Sequence, residues 1–206
     1  MNTPSNQQPP SDPRALRRHL RQARRAISIS QRQQLDLQIC QHLLQLPQLD
    51  KPCKIAFYMA GDGEADILHA ALSLMKQGHQ FYLPIIDSDG TNRLRFGLWQ
   101  PDCAMKANRF DIAEPDVAFK DQLTGLQLDL IFMPLVGFDL TGNRLGMGGG
   151  FYDRTLEFKI KQPSADDPEL IGIAYQCQNV EQLNRENWDV PLDGLISEQC
   201  YRKFSR

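Results

Sequence analysis

The sequence predicts an α/β fold with three layers, in which helices cover both faces of a largely parallel sheet. Two observations lead to this prediction. Short apolar runs of strand length alternate along the 206 residues with amphipathic segments of helix length, an order typical of parallel sheets with crossover helices. In addition, no interior linker is long enough to divide the chain, so residues 12–206 are expected to form a single domain.

The composition excludes several classes of protein. Residues 1–11 are polar and proline-rich, which predicts a disordered tail without the features of a secretory signal. No apolar run approaches the ~18–20 residues that span a bilayer. The 5 cysteines form no C-x-x-C pair, and no two of the 4 histidines are three or four residues apart, which disfavours a disulfide framework or a histidine metal cage. We expect a cytoplasmic protein without membrane contacts.

The first helix is predicted to begin at Pro13, with Asp12 as its N-cap. Its apolar face contains Leu16, Leu20, Ala23 and Ile27. The other faces carry the arginines Arg14, Arg17, Arg18, Arg21, Arg24 and Arg25. Residues 12–32 hold 7 of the 23 basic and 1 of the 25 acidic side chains, so the rest of the chain has a net charge of −8. Such arginines can line a polyphosphate site, bind nucleic acid or remain solvated.

The remaining elements follow in order. A second helix is expected to be capped by Ser30 and ended by Pro47, and a third to cover residues 66–77, with Gly78 as its stop signal. The pattern predicts strands at residues 54–60, 80–86, 94–99, 128–135, 170–175 and 194–200, and a further helix at residues 151–161.

The junction between the strand at 128–135 and the helix near Phe151 is rich in glycine, at positions 142, 146, 148, 149 and 150. Exposed backbone N–H groups and a helix N-terminus together favour an anion, and Arg144 adds a positive charge. The junction lacks the Gly-Lys-Ser/Thr of a Walker loop and the spacing of a dinucleotide fingerprint. It therefore predicts a phosphate site of another type.

Parallel sheets bind ligands beyond the carboxyl ends of their strands. The segments after residue 60, residue 135 and residue 175 should therefore meet at one crevice. They supply Glu64, Asp66, Arg144, Tyr152, Asp153, Gln178 and Asp189.

The residues of this junction resemble the signature of the 5-formyltetrahydrofolate cyclo-ligase family. The resemblance is carried by the residues at 132–134 (FMP), 137–139 (GFD) and 142–146 (GNRLG), with Gly148, Gly150, Tyr152 and Asp153. Further matches are Leu16-Arg17, Tyr58-Met59-Ala60 with Glu64, residues 175–178, and Asp189 with Leu192-Asp193. The match of Ile112 with Glu114-Pro115 is weak. The family resemblance implies a fold similar to the NagB/RpiA/CoA-transferase-like fold.

The resemblance also implies a monomeric catalytic domain that uses ATP and Mg²⁺ to convert 5-formyltetrahydrofolate, with or without a polyglutamate chain, into 5,10-methenyltetrahydrofolate. Arg144 and Tyr152 would be catalytic, and Asp153 and Asp189 would bind the metal. The implied ATP contacts are Arg14, Arg17, Arg144, Leu145, Gly146, Met147, Gly148, Gly149, Gly150, Phe151 and Tyr152. The implied folate contacts are Met59, Glu64, Met147, Gly148, Gly149, Gly150 and Phe151.

The sequence departs from the family pattern at several of these positions. Many relatives carry an arginine and a lysine where this chain has Met147 and Gly149, and Arg14 is only an approximate substitute for a lysine of the first helix. Phe151 replaces a common tyrosine, and Trp188 stands where a histidine often precedes the late aspartate. Two alternatives stay open: another phosphate-ligand enzyme on a similar scaffold, such as a sugar-phosphate isomerase or an enzyme acting on acyl-CoA, and a nucleic-acid-binding protein.

Overall fold

A computed structural model describes residue 10 and residues 12–87 and 89–204; the predicted tail otherwise lies outside these residues. The helices are α1 (Pro13–Arg25), α2 (Ile29–Leu43), α3 (Leu68–Met75), α4 (Phe151–Thr155) and α5 (Phe158–Lys161). The strands are β1 (Lys54–Ala56), β2 (Gln80–Ile86), β3 (Leu94–Trp99), β4 (Met105–Ala107), β5 (Ala113–Pro115), β6 (Leu130–Pro134), β7 (Gly137–Phe138), β8 (Arg144–Leu145), β9 (Glu169–Ile173), β10 (Gly194–Ile196) and β11 (Tyr201–Lys203).

Seven strands form the central sheet, in the order β11-β10-β9-β6-β1-β2-β3. The inner strands from β10 to β2 pair in parallel, whereas β3 and β11 pair antiparallel at the two edges. The predicted α/β class with a largely parallel sheet is therefore confirmed. The parallel arrangement brings the carboxyl ends of β1, β6 and β9 to the same edge of the sheet.

The side chains of each central strand alternate between two hydrophobic cores. On β6, Leu130 and Phe132 belong to the core beneath α2 and α3, which includes Ile39 and Leu74. Ile131 and Met133 of the same strand point to the opposite core, where Leu156 and residues of α5 pack. This period of two on a doubly covered sheet produces the three predicted layers.

Helix α1 packs at the edge of this framework, near the carboxyl ends of the strands. Its first turn is capped as predicted, since the Asp12 carboxylate accepts a hydrogen bond from Ala15 N at 2.7 Å and Pro13 is the first helical residue. Leu16 and Leu20 are buried in a third, smaller cluster with Val136, Val180 and Leu183. The predicted apolar face thus fixes the helix against two late segments of the chain.

Three predicted helix boundaries are wrong. Ser28, not Ser30, caps α2, because the side chains of Ser28 and Gln31 form a reciprocal capping box. The helix predicted at 66–77 is shorter and follows an Asp66 side chain that accepts a hydrogen bond from Leu68 N. The helix predicted at 151–161 breaks after Thr155, whose hydroxyl donates to Phe151 O and accepts from Leu94 N, both at 2.7 Å.

The strand predictions differ from the structure mainly in length. The first strand ends at Ala56 rather than at residue 60, and the chain then turns through Asp62 and Gly63, which both have positive φ. The strand predicted at 170–175 is shifted to β9. The last strand turns at Ser197, whose N–H donates to Cys200 O, and returns as β11. The sequence did not predict the two-stranded units β4–β5 and β7–β8.

Among the described residues, no helix has the length and hydrophobicity required to cross a bilayer.

Candidate active site

The candidate site lies where the segments after β1, β6 and β9 meet α1. The glycine-rich junction between β6 and α4 forms its centre, and residues 57–66 flank it on one side. Arg17 of α1 donates a hydrogen bond through Nε to Gly146 O at 2.8 Å, although the two residues are 129 positions apart in sequence. Arg24 of the same helix donates to both Asp62 O and Leu135 O, and Gln178 also donates to Leu135 O. The segments after residues 60, 135 and 175 therefore meet, as predicted.

A buried carboxylate shapes the first half of the junction. Asp139 is fully buried and accepts hydrogen bonds from Thr141, Asn143 and Leu183. Burial disfavours the charged form, but these bonds prevail and keep the pKa of Asp139 below its usual value. They stabilise the turn between β7 and β8, which delivers Arg144 to the site.

The second half of the junction requires glycine at two positions. Gly148 has φ +97° and Gly150 has φ +64°, in the left-handed region that side chains disfavour. Gly150 immediately precedes α4. The side chain of Arg154 on α4 folds back and donates a hydrogen bond to Gly149 O, which stabilises the loop. The sequence did not single out Arg154, because an arginine in a first helical turn is unremarkable by pattern alone.

Arg144 and Asp153 form an ion pair across the junction, with 2.5 Å between Nη2 and Oδ1. Asp153 Oδ1 also accepts a hydrogen bond from Val190 N at 3.2 Å, which brings the late segment next to the loop. The Arg144 side chain is 7% exposed, and its Nε has no hydrogen-bond partner among the described residues. A buried guanidinium N–H without a partner of its own fits an anion bound at this loop.

The two predicted metal ligands come from adjacent segments. Asp189 precedes Val190, and together with Arg144 it lines a small cleft beside the loop. Its Oδ2 accepts a hydrogen bond from Glu186 N at 2.9 Å. No group of three or more histidine, cysteine, aspartate or glutamate side chains in the described ranges is arranged to hold a metal. Two carboxylates nevertheless fit Mg²⁺, which takes its remaining ligands from phosphate oxygens and water.

An open cleft of about 540 Å³ lies between α1 and the glycine-rich loop. It is lined by Arg14, Arg17, Arg18, Arg21, Arg25, Met147 and Gly148. The predicted Arg14 and Arg17 are therefore beside the loop, together with three further arginines. At the position where many relatives carry an arginine, Met147 is exposed on the wall of this cleft.

Glu64 belongs to the 57–66 segment beside the junction, and two contacts hold its carboxylate. Its Oε2 accepts a hydrogen bond from Gly61 N at 3.1 Å, and its Oε1 lies 3.5 Å from Nη1 of Arg24. Burial raises the pKa of Glu64 above its usual value, although the backbone bond and Arg24 oppose this effect. The nearby Met59 is 40% exposed, so it is available to a ligand rather than being a core residue.

The predicted position of Arg24 on an outer face of α1 is wrong. It is 1% exposed and buried between α1, the 61–64 turn and the end of β6. Its guanidinium donates to the backbone oxygen and Oδ2 of Asp62, at 3.1 and 2.9 Å, and to Leu135 O at 3.3 Å. Arg21 and Arg25 also pair with Asp62. No pattern in the sequence identifies this partner, which is 38 residues away.

Tyr152 is the second residue of α4, which directly follows the glycine-rich loop. Burial raises its pKa, the charge of Arg144 lowers it and the charge of Glu64 raises it, with a net shift upward. The phenol is therefore neutral at physiological pH and able to donate a hydrogen bond.

Two residues predicted in the crevice have structural contacts instead. Gln178 is buried, and its side chain donates to Leu135 O at 2.7 Å and Val136 O at 3.1 Å. The Asp66 side chain, just before α3, accepts a hydrogen bond from Leu68 N at 2.8 Å. Phe151, in contrast, is contacted edge-on by the exposed Phe110 of the β4–β5 unit, with 6.0 Å between ring centroids. The β4–β5 unit thus adds an aromatic wall beside the loop.

The chain is similar to known proteins in sequence and in structure. The model of the 5-formyltetrahydrofolate cyclo-ligase family matches residues 10–198. The chain is 41% identical to 5-formyltetrahydrofolate cyclo-ligase of Haemophilus influenzae over 196 residues, which cover 95% of this chain and 99% of that protein. It is 36% identical to the Escherichia coli protein of the same description, over 86% of this chain and 96% of that one. The solved structure of 5,10-methenyltetrahydrofolate synthetase from Aquifex aeolicus superposes with a TM-score of 0.78 at 30% identity, covering 94% of this chain and 93% of that chain.

Proposed function

The chain belongs to the 5-formyltetrahydrofolate cyclo-ligase family, and we propose that it catalyses the ATP- and Mg²⁺-dependent cyclisation of 5-formyltetrahydrofolate to 5,10-methenyltetrahydrofolate, with release of ADP and phosphate. The observation that carries the proposal is the buried Nε of Arg144, which lacks a partner beside a glycine-rich loop and an arginine-lined cleft. This combination suits the triphosphate of a nucleotide.

The reaction has a clear chemical difficulty, which phosphate transfer removes. The oxygen of the formyl group that N5 carries is a poor leaving group. Attack by N10 on the formyl carbon therefore does not expel this oxygen to give the methenyl product. Transfer of the γ-phosphoryl group to that oxygen breaks the bond to ADP and forms a good leaving group. N10 then bonds to the formyl carbon, its proton is lost, and inorganic phosphate departs with the oxygen. Such chemistry depends mainly on positioning and charge stabilisation.

The protein would supply that stabilisation from the junction and α1. The backbone amides of residues 145–152 cradle the phosphates, and Arg144, Arg14 and Arg17 neutralise their charge. The neutral phenol of Tyr152 donates a hydrogen bond to an oxygen of the transferred group. Arg14 and Arg17 in the cleft and Arg154 under the loop offset the two basic residues absent at Met147 and Gly149.

The folate would occupy the opposite side of the junction. Glu64 accepts hydrogen bonds from pterin N–H groups, and the exposed Met59 and the half-buried Phe151 supply apolar contacts. Asp153 and Asp189 would hold Mg²⁺, which neutralises phosphate charge and aligns the γ-phosphoryl group when bound. We further propose that the enzyme acts in the cytoplasm as a monomer.

A nucleic-acid-binding role has less support. Three arginines of α1 are engaged by the single carboxylate of Asp62, which leaves fewer of them for a phosphate backbone. Residues 12–32 also contain no aromatic side chain on which a base could stack.

The decisive experiment mixes the purified protein with Mg-ATP and 5-formyltetrahydrofolate and follows the absorbance of the methenyl product. We expect ATP-dependent product formation with stoichiometric release of phosphate. The absence of product at every magnesium concentration would overturn the proposal in favour of a different phosphate-ligand enzyme.

Two carboxylate variants test the assignment of the metal site. Asp153→Asn should abolish turnover while the protein remains folded. Asp129→Asn is the matched control, because Asp129 also accepts a backbone N–H, from Lys54 at 2.7 Å, but lies at the start of β6 on the opposite edge of the sheet. An active Asp153→Asn variant would mean that the metal is held elsewhere.

A further inference from the structure

Arg24 is the one arginine of α1 whose side chain is fully buried, yet its partners belong to the 61–64 turn and to the end of β6. We propose that Arg24 is a positioning residue for the folate substrate, acting through Glu64, whose carboxylate it orients and keeps ready to accept hydrogen bonds. The inference rests on the proposed function, because it assumes that Glu64 contacts the pterin.

The contacts of Arg24 fix the turn from three directions. Nε donates to Asp62 O at 3.1 Å, Nη2 donates to Asp62 Oδ2 at 2.9 Å, and Nη1 donates to Leu135 O at 3.3 Å. Since a guanidinium presents its donors in one rigid plane, these bonds define where Nη1 lies. Nη1 in turn lies 3.5 Å from Glu64 Oε1.

The turn needs this support because its backbone is strained. Asp62 has φ +53°, in the left-handed region that residues with a Cβ disfavour. Gly63 follows with φ +77°, and a Cβ there would lie 2.9 Å from Nη2 of Arg32. Arg24 binds both the backbone and the side chain of Asp62, so it stabilises the strained conformation that places Glu64.

The two oxygens of Glu64 have different partners, which gives the carboxylate one orientation. Oε2 is held by Gly61 N at 3.1 Å, whereas Oε1 is directed toward Arg24. A carboxylate fixed in this way meets donors of a planar heterocycle without losing further side-chain freedom. Loss of Arg24 would therefore affect the substrate that contacts Glu64 and spare the one bound at the arginine-lined cleft.

The charge of Arg24 also acts on the protonation of Glu64. The charged and titratable groups that face Glu64 are Arg21 and Arg24 on α1, Asp62 in the same turn, Tyr58 after β1 and Tyr152 on α4. Burial raises the pKa of Glu64, Asp62 adds to this effect, and Arg24 and Arg21 oppose it. Removal of Arg24 should raise the pKa of Glu64 further, so that a smaller fraction is ionised at mildly acidic pH.

The test compares steady-state kinetics of wild type, Arg24→Met, Glu64→Gln and the double variant. Arg24→Met should raise the KM for 5-formyltetrahydrofolate by about tenfold and change the KM for ATP less than about twofold, as expected for loss of a charged hydrogen-bond partner. The acid limb of its kcat/KM profile for folate should move to higher pH. In the Glu64→Gln background, Arg24→Met should add little to the folate KM, because the two residues act as a unit.

Lys159→Met is the matched control for loss of a buried cation. The Lys159 side chain is 4% exposed and contacts Asp193 and Pro168 O, remote from the turn. This variant should lose stability but leave the acid limb and the ratio of the two KM values unchanged. If Arg24→Met does not fold, Arg24→Lys carries the same test, since it must raise the folate KM, spare the ATP KM and keep the acid limb in place.

The outcomes separate this inference from the function on which it rests. If the wild type forms no methenyl product, both are overturned. If the wild type is active and Glu64→Gln selectively raises the folate KM, but Arg24→Met raises both KM values equally or adds fully to Glu64→Gln, only the role of Arg24 is wrong. A selective and non-additive effect with a shifted acid limb would establish it.

Discussion

Helix α1 has arginines on two faces that differ in burial and in the partners they contact. Arg24 is buried and bonded to Asp62 and Leu135, whereas Arg14 and Arg17 border an open cleft beside the glycine-rich loop. The buried face holds the chain in place, and the open face leaves positive charge available to a ligand. The comparison shows that a basic helix serves as scaffold or as binding site according to the carboxylates that the fold brings to it.

The largest difference should appear in the free energy of unfolding. Arg24→Met removes the buried donor of three hydrogen bonds, although Asp62 keeps Arg21 and Arg25 and Leu135 O keeps Gln178. We expect this loss to cost about 1.5–3 kcal/mol. Arg14→Met on the open face should cost less than about 0.5 kcal/mol. Urea denaturation of both variants measures the two values, and equal losses would contradict the division of the helix into two faces.

The open face should show its effect in nucleotide binding. Arg17→Met should raise the KM for ATP by about ten- to a hundredfold, the range expected for loss of a charged hydrogen bond to phosphate, and leave the folate KM nearly unchanged. Initial rates at varied ATP measure this change. Arg202→Met, which removes an exposed arginine from β11, is the control and should match the wild type. Normal ATP kinetics in the Arg17→Met variant would contradict the proposal that α1 contributes to the nucleotide site.

Ionic strength should also affect the two faces differently, although less strongly than the substitutions do. Raising the ionic strength from about 0.05 to 0.5 M shortens the screening length to a few ångströms, so the KM for ATP should rise severalfold. The destabilisation caused by Arg24→Met should stay constant over the same range, because a buried pair is screened much less. Parallel kinetic and denaturation series measure both, and a salt-dependent Arg24 effect would show that this network is open to solvent.

The smallest expected effects are in the pH dependence of stability. Burial opposes ionisation of Asp62, but bonds from Arg21 and Arg25 prevail and lower its pKa, so its contribution is present above the unfolded value of 3.8 and is lost as the pH falls through the lowered value. The pKa of Glu64 is raised from 4.5, so stability is lost as the pH rises through that range. Asp62→Asn should therefore destabilise the protein at pH 7 more than at pH 3, and Glu64→Gln should be at least as stable as wild type at pH 7. Urea denaturation at pH 3 and pH 7 measures the free energy of unfolding of both variants. The same pH dependence in the two variants would contradict this prediction.

The sequence predicted most of the framework because its signals were local. Strand-length apolar runs, the Asp12 cap and Pro13 specified the sheet and the start of α1, and the glycine pattern located the junction. Family resemblance supplied Glu64, Asp153 and Asp189, and the structure places these residues at one edge of the sheet; their roles stay proposals. The buried role of Arg24 and the supporting contact of Arg154 could not be predicted, since each depends on partners brought together by tertiary folding. The wrong cap of α2 arose because Ser28 and Ser30 are equivalent until the bond to Gln31 selects one of them.

The contact between Arg17 and Gly146 has a consequence for synthesis on the ribosome. The proposed nucleotide cleft needs both α1 and a loop that is made more than 120 residues later. Val190 must follow before its amide can bond to Asp153. The nascent chain should therefore have no complete cleft until residue 190 has left the ribosome, and a chain that stops before residue 190 should lack the proposed activity even where most of the sheet has formed.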